Sequence, residues 1–342
     1  MPINTKYDGY DLATEKTTRV RDFGEGEFAV KPKGETYLPK LGGQTNADYD
    51  KYLTRGFIVP AVEPTALAIS GAIMRKAPTF DPTGTLAYLN EDFDGKTNSA
   101  INFCESIIKE LLYAGSAGYL VEYTDKAVVK QYKKESIINV SDDYVILMQE
   151  YQEQDPDDRY VQTTKIEYLE LTYDENGNYI QNLWRENRGK KFIIVDTFTP
   201  TNRGQALDMI PFVFTGALNE DPILLHLSNV NLDQYRMSTD QRHGLHWTAL
   251  PTLFLFGDLK DEDGNKKQIK VGAGSANHID DPEARADMLE FTGAGLGALS
   301  NAIDKKISAM ANIGAKMLDN GSGGVKSAET SRIEASSETA TM

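Results

Sequence analysis

Four histidines, one cysteine and a few glycine clusters are the residues of this 342-residue chain whose types and spacing could carry chemistry. His243 and His246 stand three apart near the expected end of a helix, where two imidazoles and a carboxylate could serve one metal ion in a hydrolase. No His-Glu-x-x-His pattern and no cysteine pair completes a tetrahedral set, so capping or packing beside Trp247 is the simpler expectation. Cys104, between Phe103 and Ile107, reads as a small buried hydrophobe. A single cysteine excludes an intrachain disulfide and suits a reducing compartment.

The glycines are weaker signals. Gly272-Ala-Gly274-Ser-Ala-Asn277 lacks the third glycine of a dinucleotide fingerprint and runs into Asp280, Asp281 and Pro282. Gly293, Gly295 and Gly297 stand at the start of a helical pattern, where a hinge or close helix packing is expected. No Gly-x-x-x-x-Gly-Lys-Ser/Thr loop, no Gly-x-Ser-x-Gly elbow and no compact nuclease-type carboxylate cluster occurs. These observations point away from an enzyme, and no catalytic, cofactor or metal residue is assigned.

The remaining chemistry-bearing group is a set of lysines, Lys305, Lys306, Lys316 and Lys326, on or just after the clearest helical pattern of the chain. Leu296, Leu299, Ile303, Ile307, Met310, Ile313 and Met317 step by three and four along one side of it. Asn301, Asp304, Ser308 and Asn312 share the polar side with the lysines. That side is either a solvated face or one that touches a DNA backbone weakly and without reading sequence. A helix from between Pro282 and Leu289 to Leu318 would measure on the order of 45 Å at ~1.5 Å per residue.

Other elements must position it. Residues 1–45 are polar, punctuated by glycine and proline, and read as an irregular arm. Asn46 to Arg75 reads as two helices around a break at Pro60 and Pro64, with Asn46 or Asp48 as the first cap. Residues 97–114 read as a packed helix capped by Thr97 and ended by Gly115 and Gly118, with a strand over Tyr119 to Tyr123. Residues 137–150, 160–173, 178–184 and 191–198 are β-branched and aromatic, and Asn176-Gly177 marks a hairpin, so an antiparallel sheet follows. Asp155, Asp157 and Asp158 form a solvated turn within it. Pro222–Leu245 returns to helical spacing; short strands are expected after Pro251 and at Gln268–Val271. The fold class is α+β.

The formal net charge of −15 argues against a protein that grips nucleic acid by neutralising phosphates. It is compatible with an acidic wall past which DNA must slide. No signal-peptide pattern and no apolar run of ~20 residues is seen, so a soluble intracellular product without membrane contact is expected.

Several segments, in order, resemble the portal proteins of tailed phages. They are Tyr49-Asp-Lys-Tyr-Leu-Thr-Arg-Gly-Phe57 with Gly71-Ala-Ile-Met-Arg-Lys-Ala-Pro78; Ile108-Lys-Glu-Leu-Leu-Tyr-Ala-Gly-Ser-Ala-Gly-Tyr-Leu-Val121; and Tyr132-Lys-Lys-Glu-Ser-Ile-Ile-Asn139. Leu232-Asp-Gln-Tyr235 through Ser238-Thr-Asp240, Gly244-Leu-His246 and Pro251 follow, then Leu289-Glu-Phe-Thr-Gly-Ala-Gly-Leu296 and Glu338-Thr-Ala340. The resemblance implies a portal-type fold: an arm at 1–45, a wing of helices and antiparallel sheet at 46–288, a first stem helix at 289–318, a clip-region turn at 319–328 and the start of a second stem helix at 329–342. The family continues into further helices and a crown, so the remainder is expected to lie beyond this sequence.

The resemblance also implies a homo-oligomeric ring, usually of twelve, at one capsid vertex of the virion, assembled in the host cytoplasm. Its expected partners are the major capsid protein, the terminase large subunit, head-tail adaptor or tail proteins, and double-stranded DNA passing through without sequence preference. The channel would serve DNA packaging and ejection, the terminase supplying the work. Another phage tail or connector protein is the main alternative.

Overall fold

The computed structural model describes residues 2–123, 126–155, 158–202, 204–248, 252–256, 285–289 and 294–321. In chain order these form α1 (Tyr10–Glu25), α2 (Glu27–Val30), α3 (Asn46–Arg55), α4 (Val62–Ile73) and α5 (Ala100–Ala114). Strands β1 (Ala117–Tyr123), β2 (Ala127–Lys133), β3 (Ile137–Ser141), β4 (Tyr144–Gln154), β5 (Gln162–Tyr173), β6 (Tyr179–Glu186) and β7 (Phe192–Phe198) follow. Then come β8 (Thr201–Asn202), β9 (Gln205–Ala206), β10 (Phe212–Thr215), α6 (Leu225–Thr248), β11 (Thr252–Phe256), β12 (Arg285–Leu289) and α7 (Ala294–Gly321). The expected α+β class, helices with antiparallel sheets, is what the chain adopts.

Two compact units divide the chain without following its order. The first takes the described residues of 1–30, 60–232 and 309–342, the second those of 31–59 and 233–308.

The first unit is built on a five-stranded antiparallel meander, β3-β4-β5-β6-β7. Alternation along its strands sends Ile137, Val145, Leu147, Leu169 and Leu171 to one face, where they pack with Leu120, Tyr132 and Tyr179. The intervening Ile138, Ile146 and Tyr168 face the other side and meet Ile3 and Tyr10. A second sheet, β10-β1-β2, adjoins the first face through Leu120 and Tyr132. Gly118 leaves room for Phe212 of its own sheet and Ile137 of the other, because a Cβ there would lie 2.1 Å from Phe212 Cζ and 3.0 Å from Ile137 Cδ1.

Several sequence expectations are corrected by local chemistry. The arm contains helix α1, whose buried Tyr10, Thr17, Val20 and Phe23 recur at helical spacing; so few apolar residues among many charges concealed the period. Thr45, not Asn46 or Asp48, caps α3, its hydroxyl accepting from the Asp48 N–H. Ser99 likewise replaces Thr97 as the cap of α5, since Thr97 occupies a left-handed conformation at φ 63°. Gly115, at φ 76°, ends α5, and Gly118 belongs to β1. Residues 137–150 form parts of two strands turning at Asp142 and Asp143. Residues 285–289 pair as a strand with β11, so the long helix begins at Ala294 and runs through Gly321. The glycine-rich segment 272–277, His278, the strand expected at 268–271, Lys326 and residues 329–342 lie outside the described residues.

A largely buried ion cluster ties the helices of the first unit to its sheet. Arg21 on α1 donates to Glu110 on α5 at 2.6 Å and to Glu135, ahead of β3, at 2.5 Å. Burial alone would favour loss of the guanidinium's proton, but the bonds to Glu135 and Glu110 outweigh it and hold Arg21 above its usual range. Next to it the fully buried Lys134 donates to the carbonyls of Ala114 (3.0 Å) and Glu220 (2.5 Å), and burial pushes its ammonium below the ordinary lysine value. Removing one member of such a cluster strands the others. Arg21→Ala should lower unfolding stability by about 3–5 kcal/mol in urea titration at neutral pH, more than an exposed pair such as Lys6–Asp11 would cost.

Candidate functional site

Helix α7 carries the predicted stripe and three of the four predicted lysines. Its residues 294–308 belong to the second unit and 309–321 to the first. In the second unit Ile303 is buried and Leu296 and Leu299 are half-buried. Leu296 reaches Gly244 of α6, where an added Cβ would meet it at 2.7 Å. In the first unit Met310 and Gly314 are buried and Ile313 and Met317 half-buried, and Thr65 of α4 stands close to Gly314.

Ile307 departs from the expected stripe, being 37% exposed. The buried line steps 299, 303, 306, 310, 313, 317. At ~100° per residue Ile307 falls roughly 80° from the centre of that line and Lys306 only about 20°. Lys306 accordingly is half-buried and pairs with Asp233 of α6 at 3.1 Å. Its expected place on the open polar face is corrected to a place beside the packed stripe.

Lys305 and Lys316 are exposed and have no ion-pair partner among the described residues. Eleven positions apart, they fall within about 20° of each other and ~16 Å along the axis. Asn301, Ser308 and Asn312, all exposed, share their line. The result is a polar strip with two cations, opposite the packed stripe.

His243 and His246 come together in the second unit, on a cavity of about 350 Å³ also lined by Gln44, Asp48, Lys51 and Arg55. Burial, then Arg55 and His246, hold His243 below its ordinary pKa, and the Tyr52 ring stands edge-on to it at 5.2 Å. The one carboxylate on the cavity wall, Asp48, accepts from the Thr45 hydroxyl at 2.7 Å and lies 3.6 Å from Lys51. Among the described residues no three His, Cys, Asp or Glu side chains gather as a metal site would require. Cys104 is half-buried on an apolar cavity of about 320 Å³ with Phe80, Phe93 and Phe103. No helix among the described residues is long and apolar enough to cross a membrane.

Sequence reasoning did not anticipate how α6 holds the segment after α3. Gln234 accepts from the Val59 N–H at 3.0 Å, Ser238 donates to the Phe57 carbonyl at 2.5 Å and Arg236 to that of Tyr37 at 2.7 Å. Asp240 accepts from the Tyr52 hydroxyl, which burial and this bond push well above the usual tyrosine range. Gly56 lets the strap lie against Tyr235, since a Cβ there would stand 2.7 Å from that ring. Polar residues spaced along an otherwise apolar helical pattern were the available signal.

With this geometry established, three comparisons bear on the chain. Residues 223–342 match the family described as Domain of unknown function (DUF4055). No curated protein matches. Solved structures similar to the chain include an HK97-family phage portal protein from Corynebacterium diphtheriae, at 13% identity over 85% of this chain and 83% of that one, with a TM-score of 0.32. The virion of a native gene transfer agent particle gives 11% identity, 83% and 72% coverage and a TM-score of 0.37. The neck of an empty particle of that kind gives 10%, 79% and 69%, and 0.35.

The burial pattern of α7 separates two substitutions. Met310→Asp should destabilise the isolated chain by several kcal/mol, because it buries a charge without a partner. Ile307→Asp should leave its melting temperature within about 1 °C of the parent, as expected for an exposed site. Thermal denaturation of the two variants side by side checks both.

Proposed function

We propose that this chain is a portal subunit of a tailed phage or phage-like particle. It forms a homo-oligomeric ring, usually of twelve, at one capsid vertex and acts without catalysis of its own. The observation that carries the reading is that four of the ordered segments resembling portal proteins are bonded in two pairs. Tyr52 and Phe57 of the first are bonded by Asp240 and Ser238 of the fourth. Lys134 of the third donates to Ala114 of the second, and Arg21, which lies outside both, bridges Glu110 of the second and Glu135 of the third. Short patterns that match by chance have no reason to do this.

In this reading α7 is the first stem helix, with residues 1–45 as the arm, 46–288 as the wing and the residues after 321 leading through the clip turn into a second stem helix. Its packed stripe fixes the helix to its own subunit, exposed Ile307 meets a neighbour, and the strip bearing Lys305 and Lys316 faces the DNA. Two cations without ion-pair partners among the described residues, on a chain of net charge −15, give contacts weak enough for DNA to slide. The ring offers a platform to the terminase large subunit and to head-tail adaptor or tail proteins, and the capsid protein holds the wing. DNA is packaged and ejected through the channel.

Negative-stain imaging and native mass of the purified protein test this directly. A closed ring of about a dozen copies with a hole wide enough for duplex DNA is expected; a monodisperse monomer or dimer under all assembly conditions would overturn the reading. Ile307→Asp should lower the ring fraction while sparing the monomer's stability. The ring should also associate with duplex DNA of any sequence, losing affinity as salt rises. Lys305→Ala/Lys316→Ala should flatten that salt slope, and a discrete footprint on DNA would contradict the model.

A further inference from the structure

The five-stranded sheet of the first unit has unequal edges. Its β3 edge is covered, because the Tyr7 N–H donates to the Ile138 carbonyl at 2.9 Å and Asn139 donates to the Thr5 carbonyl. Its β7 edge is not. Residues 192–198 make no main-chain hydrogen bond beyond those to β6 among the described residues, and Ile193, Ile194, Val195 and Phe198 are each 46–48% exposed. A strand of ~23 Å with apolar side chains and an unpaired backbone edge is a template for another strand.

The same sheet also overreaches itself. β3 pairs β4 only as far as Leu147, and β6 pairs β5 only from Glu167. Beyond them β4 and β5 continue together for five more residue pairs, Glu150↔Ile166 to Gln154↔Gln162. This ribbon is about 17 Å long and exposed almost throughout, with Ile166 and Val161 open to solvent. A lone two-stranded ribbon is marginally stable in water and gains from a third strand.

We infer that the overhanging part of β4 in one copy of this chain pairs antiparallel with β7 of the next copy, continuing the sheet from subunit to subunit. The inference rests on the ring reading above and adds its interface. The occupant is a second copy because directions and charges agree. In a like-oriented neighbour β4 runs opposite to β7, as the meander dictates. The free side of the β4 overhang is the β3 side and the free edge of β7 is the opposite one, so the contact is heterologous and repeats around a ring. The end of β4 then lies at the start of β7.

There, the turn after β6 holds Arg188, Lys190 and Lys191, all exposed and without ion-pair partners among the described residues. The ribbon brings Asp155 and Asp158 to the same end, beyond Glu153, which pairs with Lys165. A bulge at Val195, between Asp196 opposite Leu183 and Ile194 opposite Trp184, confines the regular pairing to Phe192–Ile194, the part nearest the basic turn.

Site-directed cross-linking tests the pairing in the full chain. With Cys104→Ser as background, Gln152→Cys is combined in turn with Phe192→Cys, Ile193→Cys and Ile194→Cys, and oxidised. At least one combination should give a ladder of multimers that the single variants do not. Separately, Lys190→Glu/Lys191→Glu should raise the concentration for half-assembly by about tenfold, and adding Asp155→Lys/Asp158→Lys should restore it. Rings that form fully, yield no ladder in any combination and ignore the charge reversal would overturn the strand pairing and leave the ring reading standing. Cross-links confined to dimers would overturn the head-to-tail geometry. A chain that neither forms rings nor cross-links would overturn both.

Discussion

The guanidinium of Arg21 between Glu110 and Glu135 is the contact on which the first unit depends. It joins α1, α5 and the turn before β3, adding to the packing of Gly24 of α1 against Tyr113 of α5. Three charges withdrawn from water are stable only because each completes the others' hydrogen bonds. Lys134 extends the same solution, spending its ammonium on two main-chain carbonyls where the chain leaves α5 and approaches α6. The five-stranded sheet is therefore held in place at one end by a polar cluster and filled on both faces by alternating apolar residues.

From that anchored end the sheet becomes progressively less buried. β3 is covered by the N-terminal residues, the centre of β4 and β5 is buried, and β7 and the β4–β5 overhang are open. Such a gradient costs stability in a monomer, since β-branched and aromatic residues stay in water. It is economical in an assembly that supplies the missing strand. Helix α7 divides in the same way: one line of side chains is packed within the subunit, while Ile307 and the line through Lys305 and Lys316 are left for other partners.

The second unit illustrates polar residues used as structural ties. The α6 side chains at 234, 236, 238 and 240 fasten an extended strap by its backbone, and glycine at 56 removes the one Cβ that would keep the strap from Tyr235. His243 packs against Tyr52 at the end of this system, where burial and Arg55 disfavour its protonation. His243 is thus held by packing and neighbouring charge, while His246 beside it is exposed.

Much of the fold was legible in the sequence. β-Branched and aromatic runs marked β4 to β7, Asn176-Gly177 marked the β5–β6 hairpin, where Gly177 adopts φ 81°, and steps of three and four marked α7. These are local properties, set by backbone geometry and the alternation of water and core. What tertiary structure alone decided is of another kind. The long-range partners of Arg21, Lys134 and Gln234 lie some 20 to 175 positions away along the chain. Which residue caps α3 or α5 turned on loop conformation, as Thr97 shows. Whether Lys306 or Ile307 joins the packed line depended on the rotation of α7 against its neighbours, a difference of a few tens of degrees that a pattern of apolar letters does not encode. The open β7 edge is likewise invisible in the composition of the strand, because exposure is a relation between strands: sequence determined that Phe192–Phe198 would be a strand, and only the ending of the meander there left its outward backbone donors and acceptors unpaired among the described residues.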